Sequence, residues 1–453
     1  MGSVGINFGS ATSGAGFDVA STVSSIMALE RTPETAWANQ TTALQAQDTA
    51  LTALGSNASA LSTALSSLTS FDGVFSKMQG ASSDLSAVAL TSVGSTAQSG
   101  THTLAVAQLA TTAQQYSSQI ATSARLSGSL SLHTSGASAA TTISIAPGSS
   151  LGDVAAQINS SGAGVQAAVL SDSSGQYLSL TSKQSGAAGD LTVTSSMQDA
   201  GGNAVSFSVA QTGIDAKYKL DGVNLTSSSN TVTGALPGVS FQLTGLSSNV
   251  TVQVAPDESG IESALQTFIS AYNTLSKSLT AQEGKDSSGN AEPLYGSTVV
   301  SQIQSTLSSA FATQPSGTNA GLSLTSLGLS LGVDGTLSLD TGVLGAALAS
   351  NFSGVADSFM VVGGFGQTFS AALNSIGSST TGTISMALAN NSSAEATLAD
   401  NKTTLEARLT AYSANLTTEL NTANQVLQAI PQQLNEVDQM FYSISGYQSG
   451  SSH

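Results

Sequence analysis

Apolar residues recur at helical spacing at both ends of the chain and at strand spacing in its middle. The C-terminal run is the longest. From Leu405 the large apolar positions fall at Leu409, Tyr412, Leu416, Leu420, Ala423, Leu427, Ile430, Leu434, Val437 and Phe441. Steps of three and four nearly alternate, which predicts a helix with one apolar seam at near-heptad spacing. The double step of four through Tyr412, Leu416 and Leu420 is a stutter that locally shifts the supercoil. The rest of the surface is mostly Asn, Gln, Thr and Ala, so the seam needs cover. Its first half fits packing inside its own domain and contact with a partner equally well. Its second half, after Leu420, is far from any other core-forming stretch, and there the spacing favours a partner. Pro431 lies inside the run. It lacks a backbone donor and its ring meets the carbonyl of Leu427, so a kink or break is expected there.

At the other end Asp18 is a fit N-cap, with Val19, Val23, Ile26 and Met27 following on one face. Pro33 is expected to end or bend that helix. A second seam runs Leu44, Leu51, Leu54, Ala58, Leu61, Leu65 and Leu68, stopping near Phe71-Asp72-Gly73. From about residue 84 to 257 the period changes to two. Runs such as Thr103–Val106, Ile143–Ile145, Tyr177–Leu180, Leu191–Val193 and Val250–Val254 read as half-buried strands between Gly-rich turns. One short helix, Leu151 to Ile158, interrupts them. Helical spacing resumes at Ile261, Leu265, Phe268, Ile269, Tyr272 and Leu275, and again at Val299, Ile303, Leu307 and Phe311. Leu331 to Leu339 reads as a hairpin around Asp334-Gly335.

The order helix, β, helix predicts an α+β multidomain fold. Coiled-coil-like helical legs at the termini and a helical inner domain would enclose nested β-rich outer domains. The expected segments are 1–40 (N-terminal leg), 41–78 (inner domain), 79–118 (β-rich middle domain), 119–211 (β-rich outer domain), 212–257 (middle domain again), 258–402 (inner domain again) and 403–453 (C-terminal leg). Such a split domain keeps its termini close together.

Composition narrows the function classes. The 453 residues carry only 10 Lys plus Arg against 27 Asp plus Glu, a net charge of −17. Nucleic acid and anionic membrane surfaces are therefore disfavoured partners. The chain has no cysteine, which removes disulfides, thiolate catalysis and zinc-thiolate sites. No run approaches the length of a membrane span, and the first residues lack a basic and apolar leader, so no membrane insertion and no Sec-type export are expected.

Catalytic chemistry is not indicated. His102 alternates with Leu104 and Val106 and reads as an exposed strand residue. His133 lies in a Ser/Gly-rich stretch, and His453 is the last residue. No metal-ligand spacing or nucleophile elbow occurs. Asp286-Ser287-Ser288-Gly289-Asn290 lacks the Gly and Glu of a calcium loop and reads as a polar loop. Neither a cofactor nor a metal is expected.

Several separate stretches resemble one family. Gly14-Ala15-Gly16-Phe17-Asp18 with Ala28-Leu29-Glu30-Arg31-Thr32-Pro33 is similar to the opening motif of flagellar hook-associated protein 2, the flagellar filament cap. Ala81 to Ala110 resembles its first strand region, with Val106 to Ala110 carrying a V-x-Q-L-A signature. Residues 141–194 resemble a repeat shared with flagellins, through Leu151-Gly152-Asp153-Val154, Ile158-Asn159, Gly164-Val165-Gln166-Ala167 and Leu178–Ser182. Leu220-Asp221-Gly222-Val223, Gly238–Leu243, Phe268–Leu275, Leu327–Asp340 and Leu405–Tyr412 follow in the family's order.

The resemblance implies an exported, homo-oligomeric cap at the flagellum tip, beneath which flagellin folds and polymerises. It implies flagellin, further copies of the chain and an export chaperone at the C-terminal region as partners. No enzyme activity is implied. Expected association residues are Val19, Val23, Ile26, Met27, Leu44, Leu51, Leu416, Leu420, Leu427, Leu434, Val437 and Phe441. The other readings are a surface adhesin acting through the outer β domains and another flagellar axial protein, at the hook–filament junction or flagellin-like.

Overall fold

The computed structural model describes residues 16–312 and 321–445. His453, the Gly14-Ala15 start of the opening motif and the ends of both expected legs lie outside the described residues. The helices are α1 (Val19–Glu30), α2 (Thr32–Thr69), α3 (Leu151–Ser160), α4 (Glu258–Gln282), α5 (Thr298–Ala312), α6 (Thr341–Met360), α7 (Phe365–Gly377) and α8 (Thr383–Ser445). The strands are β1 (Met78–Ser82), β2 (Val88–Val93), β3 (Gly100–Gln108), β4 (Thr112–Ser117), β5 (Leu126–Thr134), β6 (Thr141–Ser149), β7 (Val165–Ser171), β8 (Gln176–Ser185) and β9 (Leu191–Ser195). They continue with β10 (Gln198–Asp199), β11 (Phe207–Gln211), β12 (Ala216–Leu220), β13 (Val223–Ser227), β14 (Thr231–Leu236), β15 (Val239–Leu243), β16 (Ser247–Pro256), β17 (Leu329–Leu331) and β18 (Leu337–Leu339).

The chain divides into two compact units. One joins residues 1–69 to 265–453, and the other is the intervening 70–264.

In the helical unit, the α2 seam predicted from Leu44 to Leu68 is half-buried at Leu44 and buried from Leu51 on, with Leu51, Leu54, Leu61, Leu65 and Leu68 all nearly inaccessible. An aromatic cluster locks four helices together. Phe268 and Tyr272 of α4, Phe311 of α5, Phe359 of α6, and Phe365 and Phe369 of α7 meet at centroid separations of 4.9–6.4 Å. Burial pushes the Tyr272 hydroxyl above its ordinary pKa. The β17–β18 hairpin pairs Leu329 with Leu339, and Gly335 at its turn has φ +74°. Asn273 fixes it on α4 like one more strand residue: its amide donates to the Leu337 carbonyl (2.9 Å) and accepts from the Leu337 N–H (2.7 Å). The α6 helix is interrupted at Asn351 (φ −152°, ψ 62°), whose side chain accepts from the Gly354 N–H and restarts it.

The β unit holds two cores. A five-stranded sheet ordered β1-β16-β3-β12-β13 and a three-stranded sheet ordered β14-β15-β2 enclose the first. Tyr218 of β12 stands edge-on to Phe241 of β15 across it, at 6.0 Å. The second lies among β10-β5-β6, with β9 also on β5, the sheet β11-β4-β8-β7, and α3. α3 opens on a capping box, Ser150 and Asp153 bonding each other's backbone N–H.

Three expected limits move. Ala110 belongs to the first core, Ala113 to the second, and β4 pairs with β8 and β11. The crossing expected at 118 therefore falls between 110 and 113. The limits at 40 and 402 fall inside α2 and α8, because an apolar stripe that continues without a break gives the helix no reason to stop. Pro33 opens α2 while Arg31 alone separates it from α1, as suits a residue tolerated in a first helical turn.

His102 is not simply an exposed strand residue. Its Nδ1 lies 2.7 Å from Asp221 Oδ2, and Asp221 Oδ1 accepts from the Thr103 N–H at 2.8 Å. Asp221 sits in the β12–β13 turn at φ +47°, among the described residues the one non-glycine with positive φ. The hydrogen bond from His102, then that from Thr103, hold its carboxyl below the usual carboxylate value of 3.8. A depressed folded-state pKa adds stability above that value, which disappears as pH falls through the folded-state pKa. Asn keeps the positive-φ conformation accessible. Asp221→Asn is thus expected to lower the melting temperature at pH 7, and the gap to the parent should close as pH falls below about 4. Thermal scans against pH read it directly.

Candidate assembly surface

Helices α1 and α2 run antiparallel along α8 in one constant register. The Phe17 N–H donates to Asn424 Oδ1 (2.9 Å), Arg31 bridges Glu406 (2.6 Å), Asn391 donates to Asp48 (2.7 Å), and Gly55 lies against Ile384. Each residue gained on one partner is matched by one lost on the other. The Arg31–Glu406 pair is exposed and sets register more than stability.

The covered face of α8 keeps the predicted positions Leu405, Leu409, Leu416, Leu420, Leu427 and Ile430 but departs from the predicted seam at Tyr412 and Ala423. Leu405 and Leu409 are buried, and Ser413, Leu416, Leu420, Asn424, Leu427 and Pro431 are half-buried, while Tyr412 is exposed. Their steps are four, four, three: an eleven-residue repeat, at 3.67 residues per turn close to the straight helix. Tyr412 and Ala423 satisfied the apolar pattern, but Ser413 and Asn424 hold the facing positions. Asn424 does so because it caps the start of α1's chain at Phe17.

Of the kink or break expected at Pro431, the break is absent: α8 continues to Ser445. One backbone bond is lost, while intact helix continues on either side.

The candidate residues separate into three groups. Val19, Val23 and Leu51 are buried against their own unit, which corrects their assignment as partner-facing positions in the isolated chain. Ile26, Met27, Leu44, Leu416, Leu420 and Leu427 are half-buried along the helix pair. Leu434, Val437 and Phe441 are 46%, 56% and 65% exposed, with Met440 and Ile444 beside them at 58% and 85%. The spacing of Leu434, Val437, Phe441 and Ile444 aligns them as one stripe.

The sequence left open whether the two striped ends pair with each other or with neighbouring copies, because an apolar stripe shows that a partner exists without saying which; the structure pairs them within the chain. Among the described residues no His, Asp or Glu group could hold a metal, and no helix is long and apolar enough to cross a membrane.

Residues 15–113 match the N-terminal model of flagellar hook-associated protein 2, residues 213–432 match its C-terminal model, and residues 129–184 match the flagellin hook IN motif. The B-type flagellar hook-associated protein 2 of Pseudomonas aeruginosa is 30% identical over 154 residues, 32% of this chain and 32% of that protein. The flagellar hook-associated protein 2 of Salmonella typhimurium is 30% identical over 146 residues, 30% of this chain and 31% of its own length. These alignments span about a third of either curated relative. The crystal structure of the flagellar cap protein FliD D1-D2-D3 domains from Escherichia coli superposes with TM-score 0.56 at 26% identity, covering 76% of this chain and 99% of that one. A split α+β chain with β-rich segments inserted between helical halves is thus an architecture shared with a flagellar cap protein. The chain belongs to the flagellar hook-associated protein 2 family.

Proposed function

We propose that this protein caps the distal tip of the flagellar filament and guides flagellin into place beneath an oligomer of its own copies. The observation that carries the reading is the match to both family halves, joined to an α8 end that exposes Leu434, Val437 and Met440 in water. Full burial of such an apolar side chain is worth about 1.5–3 kcal/mol, so these half-exposed ones gain about half of that each when a partner covers them. That gain supplies adhesion to other subunits without any bond being made or broken. The role proposed for the chain is structural.

The partners in this reading are flagellin, further copies of the chain, and an export chaperone that shields the C-terminal region before secretion. The route is the flagellar export apparatus, and the working location is the extracellular tip. The half-buried Ile26, Met27, Leu44, Leu416, Leu420 and Leu427 hold the helix pair in shape, and the stripe from Leu434 makes the outside contact.

Deleting the gene tests this. Cells are expected to lose filaments while flagellin accumulates in the medium as monomer, and the intact gene should restore them. Normal filaments on the deletion strain would refute capping.

A further inference from the structure

The sheet β11-β4-β8-β7 ends on β7, whose outer edge pairs with no further strand among the described residues. Val165–Ser171 contains no charge and no proline, and its register with β8 is regular from Val165–Ser182 to Ser171–Gln176. Such an edge is a template for pairing with another chain. Its polarity follows from the hydrogen bonds. The Leu178 N–H of β8 turns towards β4, donating to Ser117 Oγ at 2.8 Å. Neighbours alternate, so Gln166, Ala168 and Leu170 face β8, while Val165, Ala167, Val169 and Ser171 turn their backbone outward.

One of these outward rungs is occupied from within the chain. Asn159, near the end of α3, accepts from the Ala167 N–H with Oδ1 at 2.8 Å and donates from Nδ2 to the Ala167 carbonyl at 2.9 Å. A primary amide presents one acceptor and one donor in the spacing of a peptide unit. It therefore satisfies both groups that a neighbouring strand would take.

We propose that Asn159 stands in for a strand on the β7 edge and prevents that edge from pairing with β7 of a second copy. A second copy is the occupant that fits. The strand has no charge to repel its own image in a chain of net charge −17. An antiparallel pair centred on Val169 sets Ala168 opposite Leu170 in both directions, two small-to-medium uncharged side chains. With Asn159 in place, copies meet only through other surfaces. The inference does not depend on filament capping.

The chain has no cysteine, so Ala168→Cys, at an exposed position, introduces a unique thiol. The purified full chain with Ala168→Cys is treated with a short bis-maleimide, alone and combined with Asn159→Ala. Loss of the amide should raise crosslinked dimer about tenfold at equal protein concentration. Adding Leu170→Lys, which puts a charge on the open edge, should return it to the starting level. Hydrogen exchange at the Ala167 amide should be slow in the parent and fast in Asn159→Ala. Should that variant fold poorly, Asn159→Ser, too short to reach both Ala167 groups, serves the same comparison. Equal crosslinking with and without Asn159, or an increase that Leu170→Lys leaves untouched, would overturn the proposal.

Discussion

Replacing Phe369 by Ala is expected to cost the helical unit about 3–5 kcal/mol, the range for deleting a buried aromatic side chain. Phe369 is fully buried. Its ring meets Phe268 at 5.4 Å, Phe311 at 4.9 Å, Phe365 at 5.3 Å and Tyr272 at 6.4 Å. Those rings arrive from α4, α5 and α7, so the cavity would open where three helices converge and none could collapse into it alone. Edge-to-face pairs add about 0.5–1.5 kcal/mol beyond area burial, and the two with Phe268 and Phe311 are lost at once. A domain of ordinary stability holds roughly 5–15 kcal/mol, so much of the margin disappears. Urea unfolding followed by far-ultraviolet dichroism reads the helical signal. A midpoint unchanged from the parent would show that the cluster does not hold these helices together.

The second large effect is on assembly rather than on folding. Leu434→Asp combined with Val437→Asp places two carboxylates on the exposed stripe of α8. Both positions are about half accessible in the chain, so the fold should change by no more than about 0.5 kcal/mol at each. In an assembled cap the same positions would have to be buried. The lost transfer energy and the cost of desolvating charge together should weaken the contact at least about a hundredfold. A deletion strain complemented with this variant is expected to leak flagellin and carry few filaments. Leu420→Asp differs in kind. Leu420 is half-buried beneath the helix pair, so its replacement should loosen α1 from α8 as well. Wild-type filament numbers from the double variant would remove the stripe from the account.

The local elements were legible in the residues. Asp18 begins α1, the short helix expected from Leu151 is α3, Asp334-Gly335 turns the hairpin, and the period change brackets the β unit. These features depend on neighbours within a few positions. Long-range pairing was legible only as a choice between the two helical ends joining each other and joining neighbouring copies. That α1 and α2 lie along α8 rests on matches such as Phe17 with Asn424, set by tertiary packing. The eleven-residue face was hidden because Ser413 and Asn424 are polar yet face inward, whereas Tyr412 is apolar and exposed. An amide gains a facing position when a specific backbone group waits there, and a hydropathy pattern does not register that. Asn159 and Asn273 belong to the same class. Each reads as an ordinary polar helix residue, and each docks on a strand backbone. The strand at residues 112–117 was placed on the wrong side of a domain limit because its alternation of buried and half-buried positions is the same in either core.

The most direct measurement uses the absence of native thiols. A single cysteine at Val437 is labelled with maleimide in the purified chain and again in isolated filaments that retain their tips. The account predicts rapid labelling in the free protein and strong protection at the filament tip, with a control cysteine at the exposed Ala168 labelled in both. Equal reactivity of residue 437 in the two states would contradict it.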